Sequence, residues 1–101
     1  MNAHYLIQNT ILAFLLFSLS FTKTINVQGI VLNENNEPIG NVNIFSGAVG
    51  TSSLDDGSFL LEVNHSSIIT FTHIGYLKAT YNALDMPKAI ILTKNILKSN
   101  Q

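Results

Sequence analysis

The stretch GTSSLDDGSFLLEV, residues 50–63, carries the clearest strand signal in the chain. Phe59, Leu61 and Val63 occupy every second position, so the three side chains fall on one face of an extended segment. A half-buried strand has this period of two residues, whereas a helix would need a period near 3.6. The stretch therefore predicts a β-strand over 58–63 with one face in a core.

Two adjacent acids, Asp55 and Asp56, precede that strand and raise the question of a chemical site. A calcium loop places oxygen ligands at alternate positions, and Leu54 stands where a third acid would help. Acid–base catalysis needs two carboxylates in one cleft, which nothing here indicates. Because Asp-Gly tolerates positive φ, we predict a tight turn at Gly57 and keep a weak cation site as the lesser alternative. We expect no catalytic residue, metal ligand or cofactor.

Six other runs have the same strand character, and turn residues separate them. The predicted strands are 25–32, 41–46, 48–53, 58–63, 67–73, 76–82 and 88–94. Loops are predicted at 33–41, 64–66 and 84–87. No segment shows a helical period, so the pattern predicts an all-β, seven-stranded antiparallel Greek-key sandwich of prealbumin or immunoglobulin-like type.

Alternation also predicts the core and marks special backbone positions. Gly29 interrupts its strand, which indicates a bulge or a close backbone approach. Pro38 cannot donate to a ladder and belongs to a loop. The expected core side chains are Ile25, Val27, Val31, Val42, Ile44, Phe59, Leu61, Val63, Ile69 and Phe71.

The first twenty residues, MNAHYLIQNTILAFLLFSLS, resemble an export signal. The apolar run 11–19 is shorter than the ~20 residues that span a bilayer but has the length of a signal-peptide core. We predict a signal peptide over 1–20, a linker over 21–24, a domain over 25–94 and a polar tail over 95–101. An uncleaved anchor and a buried N-terminal helix are the alternatives, because the leader has no Lys or Arg.

Composition excludes several classes of function. Net charge is −1 and only 11% of the residues are charged, so no basic surface for nucleic acid is expected. The chain has no cysteine, which removes disulfides, thiol catalysis and thiolate zinc sites. Stability must come from core packing in a small domain.

The remaining candidate residues favour structural roles. His65 and His73 lack the spacing of a metal site, and no serine lies in a nucleophile elbow. We expect Ser52, Ser53, Ser58, Ser66 and Ser67 at turns and strand edges. Asn64 begins an Asn-His-Ser sequon, which we interpret as a turn. A sugar-binding platform would require Tyr76 to lie beside two other rings, those of Phe45 and Tyr81.

The ordered set of these features resembles the carboxypeptidase-regulatory-like domain. That family has a G-x-V strand, an acidic loop with proline, a G-T-x-T-D-x-x-G-x-F segment and an F-x-x-I-G-Y closure. The resemblance covers about 25–93. The matching motif positions are Gly29, Val31, Glu37, Pro38, Gly40, Val42, Ile44, Gly50, Thr51, Gly57, Phe59, Phe71, Ile74, Gly75 and Tyr76.

The resemblance implies a non-enzymatic, seven-stranded prealbumin-like sandwich. Its closing variant, behind a signal peptide, is similar to the N-terminal extension of TonB-dependent outer-membrane receptors. It therefore implies export to the periplasm or outer membrane, a docking or scaffolding role, and an envelope protein or receptor component as partner. A carbohydrate- or surface-binding module is the alternative. Membrane contact is expected only through an uncleaved leader.

Two departures from the family pattern matter. Leu54 replaces the family's Asp, and Ser53 replaces the Thr before it. The receptors continue into a plug and a barrel, whereas no such segment follows here, so we expect no transport by this chain alone. A stand-alone domain and a truncated receptor remain alternatives.

Overall fold

A computed structural model describes residues 23–96, which form seven strands and one short 3₁₀ helix. The strands are β1 Thr24–Leu32, β2 Asn43–Ser46, β3 Val49–Ser52, β4 Ser58–Asn64, β5 Ile68–Thr72, β6 Ala79–Asn82 and β7 Ala89–Ile91, and the helix is Ala83–Asp85. The predicted leader, residues 1–20, and the end of the predicted tail lie outside the described residues.

The strands form two sheets, with orders β4-β1-β7 and β3-β2-β5-β6. Within the four-stranded sheet every neighbour is antiparallel, as it is between β1 and β4. The hairpin β2–β3 lies in one sheet, and β4 returns to lie beside β1 in the other. The predicted all-β sandwich of seven strands is confirmed.

One pair departs from the antiparallel prediction, because β7 runs parallel to β1. The N–H of Ile30 donates to the carbonyl of Lys88 at 2.8 Å, and that of Leu92 donates to the carbonyl of Leu32 at 2.9 Å. The chain crosses from β6 in the other sheet to β7 through the 3₁₀ helix. This crossing lets β7 start alongside β1 and run in the same direction. Periodicity contains no information on this direction.

The last two strands are shorter than predicted because their flanks pair with each other. The N–H of Leu77 donates to the carbonyl of Thr93, and that of Asn95 donates to the carbonyl of Gly75, both at 2.8 Å. An isolated bridge joins Tyr76 to Lys94. The predicted strand 76–82 therefore begins at Ala79, and the predicted strand 88–94 ends at Ile91.

The core lies between the sheets and contains most of the predicted side chains, with Ile25 only half buried. The buried apolar residues are Val27, Val31, Ile39, Val42, Ile44, Phe59, Leu61, Val63, Ile69, Phe71, Ala83, Ile90 and Leu92. Phe71 contacts Phe59 across the two sheets, with ring centroids 5.5 Å apart, and Tyr81 at 5.9 Å, both edge to face.

The loop over 33–37 is built around one side chain. The carboxamide oxygen of Asn33 accepts hydrogen bonds from the backbone N–H groups of Asn35 and Glu37, at 2.8 and 3.0 Å. Asn36 has a φ of +64°, which Asn tolerates better than most residues.

Within residues 23–96, no helix has the length and apolarity needed to cross a membrane.

Candidate docking site

One corner of the sandwich is open, where the chain passes from β3 in the four-stranded sheet to β4 in the three-stranded sheet. β3 and β4 are both edge strands, and residues 53–57 connect them. We call this connection the corner loop. It contains the acids, the glycine and the exposed leucine at which the sequence motif departs from the family pattern.

The corner loop is a hydrogen-bonded turn, as predicted. The N–H of Gly57 donates to the carbonyl of Leu54 at 2.8 Å, and the N–H of Leu54 donates to the carbonyl of Ser58 at 2.9 Å. These two bonds fix the point at which β4 starts. The turn therefore supplies the register of the strand that follows it.

Gly57 is required for two independent reasons. Its φ is +84°, a value that favours glycine. A Cβ atom added there would lie 2.5 Å from the carbonyl oxygen of Val31, which is backbone and cannot move aside. That same carbonyl accepts a hydrogen bond from Ile39. The corner loop consequently packs directly on β1.

The two acids have different surroundings. The carboxylate of Asp56 accepts hydrogen bonds from the N–H of Ser58 at 2.9 Å and from its hydroxyl at 2.6 Å. These bonds favour the charged form and lower the pKa of Asp56 below its ordinary value. Both acids are exposed. In residues 23–96, no group of three or more His, Cys, Asp or Glu side chains is placed to hold a metal ion.

The burial of Ser53, in the corner loop, was not predicted from the sequence. Ser53 is buried, whereas we expected a turn or edge serine. Its hydroxyl donates to the carbonyl of Ile39 at 2.7 Å and accepts from the N–H of Val42 at 2.9 Å. The hydroxyl thereby joins the corner loop to the segment before β2. The one sequence signal for its burial is the spacing of two residues between Thr51 and Ser53, which places both side chains on the same face of the predicted strand.

A groove of about 300 Å³ runs along the open corner between β3 and β4. Its lining is Thr51, Ser52, Leu54, Ser58, Phe59 and Leu60, and it contains no charged side chain. Leu54 is 64% exposed and Leu60 is 58% exposed. Val49 pairs with Ser46 on the inward-facing side of the sheet, yet it is 46% exposed. Three apolar and three hydroxyl side chains therefore line a groove that nothing in the described chain covers.

The free side of β4 also presents unpaired backbone groups. Val31 donates to the carbonyl of Gly57, so the odd-numbered residues of β4 direct their N–H and C=O groups toward β1. Leu60 and Glu62 direct theirs away from β1, toward the groove. Among residues 23–96, no backbone hydrogen bond outside the ladders uses the groups of these two residues.

Several motif glycines and the loop proline support this corner. A Cβ on Gly40 would lie 3.1 Å from the carbonyl oxygen of Leu54, so Gly40 lets the corner loop approach. Pro38 forms an isolated bridge with Leu32 and lies close to Gly57. Gly50 lies opposite Phe45 in the β2–β3 ladder, where a Cβ would crowd Phe45.

The remaining candidate residues lie apart from the corner. His73 and Tyr76 stack edge to face with centroids 5.4 Å apart, across a turn in which Gly75 has a φ of +91°. Phe45 is on the outer face of its sheet, whereas Tyr81 packs against Phe71 on the inner face. The structure thus does not bring Tyr76, Phe45 and Tyr81 together into one platform.

The sequon at Asn64 forms the predicted turn between β4 and β5. Its carboxamide oxygen accepts from the N–H of Ser66 at 3.0 Å and from the Ser66 hydroxyl at 2.9 Å. The N–H of His65 donates to the carbonyl of Lys23 at 3.0 Å, which joins this turn to the start of β1. These contacts give the segment a structural role.

Comparisons with known proteins supply no relative: no protein-family model matches the chain, and no curated protein matches it. Of the features that the sequence resemblance implies, the structure shows a small all-β domain of two sheets.

Proposed function

We propose that this chain is a non-catalytic β-sandwich module that docks onto a protein of the cell envelope through its open corner. The observation that carries the proposal is the groove between β3 and β4, which is lined in part by the exposed side chains of Leu54 and Leu60 and which nothing in residues 23–96 covers. Contiguous exposed apolar side chains with a polar rim are typical of protein interaction sites. The exposed acids Asp55 and Asp56 form part of that rim.

The envelope setting rests on the sequence. The leader over 1–20 supports export, and the motif set resembles the extension that precedes outer-membrane receptors. A rigid sandwich with one open corner suits a docking role, because the scaffold holds the groove in a fixed shape. The free energy of docking would come from covering Leu54 and Leu60.

Site-specific photo-crosslinking in a Gram-negative host tests the proposal. The full chain carries a photoreactive amino acid at position 60. Position 84 is the matched control, because Leu84 is 65% exposed and Leu60 is 58% exposed. We expect the chain in the envelope fraction, with a discrete protein adduct from position 60 that is absent from position 84. The adduct should disappear when Leu54→Ser is added.

Two results would contradict the proposal. One is a chain that stays in the cytoplasm with residues 1–20 intact. The other is an envelope chain whose adducts from positions 60 and 84 are the same, since that pattern reports non-specific contact.

A further inference from the structure

We infer that the docking partner contributes a single extended strand that pairs with the free edge of β4 and enlarges the three-stranded sheet to four strands. This inference rests on the proposed docking function and names the kind of segment that occupies the groove. Addition of a strand to an exposed edge is a common mode of peptide recognition, in which main-chain hydrogen bonds supply affinity and side-chain pockets supply specificity.

The backbone of β4 offers a defined set of hydrogen-bonding groups. The N–H of Ser58 is used by Asp56, and the carbonyl of Ser58 is used by Leu54. The carbonyl of Asn64 accepts from Ser67 at 3.0 Å. Between these occupied ends, Leu60 and Glu62 each present one N–H and one C=O outward. An incoming strand can therefore form about four hydrogen bonds, with its register limited by the two closed ends.

β4 is the longest of the four edge strands. Natural proteins protect edges by making them very short, among other devices, and β3, β6 and β7 have four, four and three residues. β4 has seven residues. Only one of its exposed side chains, Glu62, is charged. An edge of this length, whose outward groups at Leu60 and Glu62 have no backbone partner in residues 23–96, is expected to pair with another strand.

The two sheets are also unequal at this corner. The inward face of β3 carries Val49 and Thr51, and the three-stranded sheet ends at β4. A strand added beside β4 would lie above these two side chains. Its alternate residues would point into the groove against Phe59 and Leu54. The segment must therefore be apolar at the inward positions.

Acidic side chains near both ends of the free edge favour basic residues at the ends of the incoming strand. The corner loop contributes Asp55 and Asp56 beyond one end of the free edge, and Glu62 lies at the other end. Among the described residues, no basic side chain lines the groove. A strand with Lys or Arg at both ends complements this distribution, whereas an acidic strand is repelled.

A second copy of the chain is a poor occupant. If two β4 strands paired, each chain's β3, which lies next to its own β4, would be brought toward the β3 of the other copy. The two β3 strands would then compete for the same space. A lone strand from another protein avoids this collision.

Amide hydrogen exchange with a synthetic peptide tests the inference. The probe is Lys-Val-Thr-Val-Thr-Val-Lys, and the control replaces its central valine with proline, which breaks pairing. In the free full chain, we expect the amides of Leu60 and Glu62 to exchange rapidly. Saturating probe should slow both by about tenfold or more, while the proline peptide should leave them unchanged.

A pair of substitutions at one position separates backbone pairing from side-chain contact. Leu60→Pro removes an outward N–H without touching the β1 ladder, and Leu60→Ala retains the N–H. We expect Leu60→Pro to abolish protection of Glu62 and Leu60→Ala to keep it. Circular dichroism of both variants checks that the sandwich is intact.

Each of the other outcomes overturns the inference. Binding of the probe without protection at Leu60 and Glu62 would mean docking through side chains alone, which leaves the proposed function in place. Protection at Gly50 and Ser52 would assign the strand to β3. Protection of β4 in the free chain, with elution as a dimer, would assign the edge to a second copy. Failure of the probe to bind would also reject an uncovered, strand-accepting edge.

Discussion

At the scale of single residues, the corner loop depends on its least conspicuous members. The acids attract attention in the sequence, but Asp55 is exposed, and the only side-chain hydrogen bonds of Asp56 within residues 23–96 are with Ser58. Gly57 and Ser53 hold the loop against β1 and the segment before β2. Stability at this corner should therefore follow the glycine and the serine rather than the carboxylates.

Gly57→Val should destabilise the domain by about 3 kcal/mol or more. A β-branched residue at a φ of +84° is strained, and its Cβ would overlap the carbonyl of Val31. Asp55→Asn is the matched control and should change stability by less than about 0.5 kcal/mol. Urea unfolding followed by circular dichroism measures both. A large loss from Asp55→Asn would revive the cation-site interpretation.

Ser53→Ala should cost about 1–3 kcal/mol, because it leaves the buried carbonyl of Ile39 and the N–H of Val42 each without the hydroxyl partner. Ser52→Ala, at the exposed neighbouring position, should be nearly neutral. Thermal unfolding of the two variants compares them directly. Equal effects would mean that the Ser53 hydroxyl contributes no net stability.

The carboxyl of Asp56 should titrate below its ordinary range, because Ser58 donates two hydrogen bonds to the charged form. Since its pKa is lower in the folded state, this contribution to stability is present above the unfolded pKa and is lost as pH falls through the folded pKa. Carboxyl ¹³C NMR follows the titration. Ser58→Ala should raise the pKa of Asp56, and an unchanged midpoint would refute the assigned cause.

The sequence predicted the turn at Gly57 but not the burial of Ser53. Asp-Gly before an alternating apolar run is a local signal, so it can be read without tertiary structure. The partners of Ser53 lie eleven and fourteen residues away along the chain. The residues next to Ser53 in the sequence therefore do not show whether its hydroxyl bonds to distant backbone groups or faces water.

At the scale of elements, the pairing of β1 with β7 depends on the absence of a side chain at Gly29. A Cβ there would overlap the carbonyl oxygen of Lys88, which accepts the first hydrogen bond of the parallel pair. The close backbone approach predicted for Gly29 is thus present. Phe59 also packs near this position.

Gly29→Ala should loosen β7 more than any other strand. The methyl group would push Lys88 away and weaken the bond from Ile30, with a cost of about 1–3 kcal/mol. Hydrogen exchange should accelerate at the amides of Ile30 and Leu92, which donate across this pair. The amides of the β2–β5 ladder serve as the internal control. Uniform acceleration would show instead that β7 opens only with the whole domain.

Strand existence was predictable here, whereas strand direction and ends were not. Alternating side chains located β1, β2, β4 and β5, because each has one buried face, and turn residues separated the other three. The direction of β7 and the early end of its ladder are set by which segments meet in space. Tyr76 and Lys94 pair with each other, and that contact shortens two predicted strands at once.

At the scale of the whole molecule, the two sheets are joined by a row of three rings. Phe59 comes from the three-stranded sheet, and Phe71 and Tyr81 come from the four-stranded sheet. Phe71 is fully buried. The row couples the sheets, so they should lose structure together.

Phe71→Leu should destabilise both sheets by the same amount, about 1–3 kcal/mol, because a small domain unfolds cooperatively. Native-state hydrogen exchange should show equal loss of protection for Val27 and Leu61 in one sheet and for Ile44 and Ile69 in the other. Leu84→Ala, on an exposed side chain, is the control. Loss confined to the four-stranded sheet would contradict the coupling.

The open corner itself could not be predicted from the sequence. Leu54 and Leu60 occupy positions where an exposed leucine is unremarkable. Both side chains line one groove, which forms where the edges of the three-stranded and four-stranded sheets meet. Pairing among strands that are distant in sequence determines that arrangement.

The parallel pair of β1 and β7 has a mechanical consequence. The chain enters the sandwich at Thr24 and leaves it beyond Ile91, and parallel pairing puts these two points at opposite ends of the molecule. Tension applied between them pulls the strands lengthwise past each other, so the bonds from Ile30 and Leu92 share the load together rather than breaking in sequence. The domain is therefore arranged to resist unfolding when force is applied between its two ends.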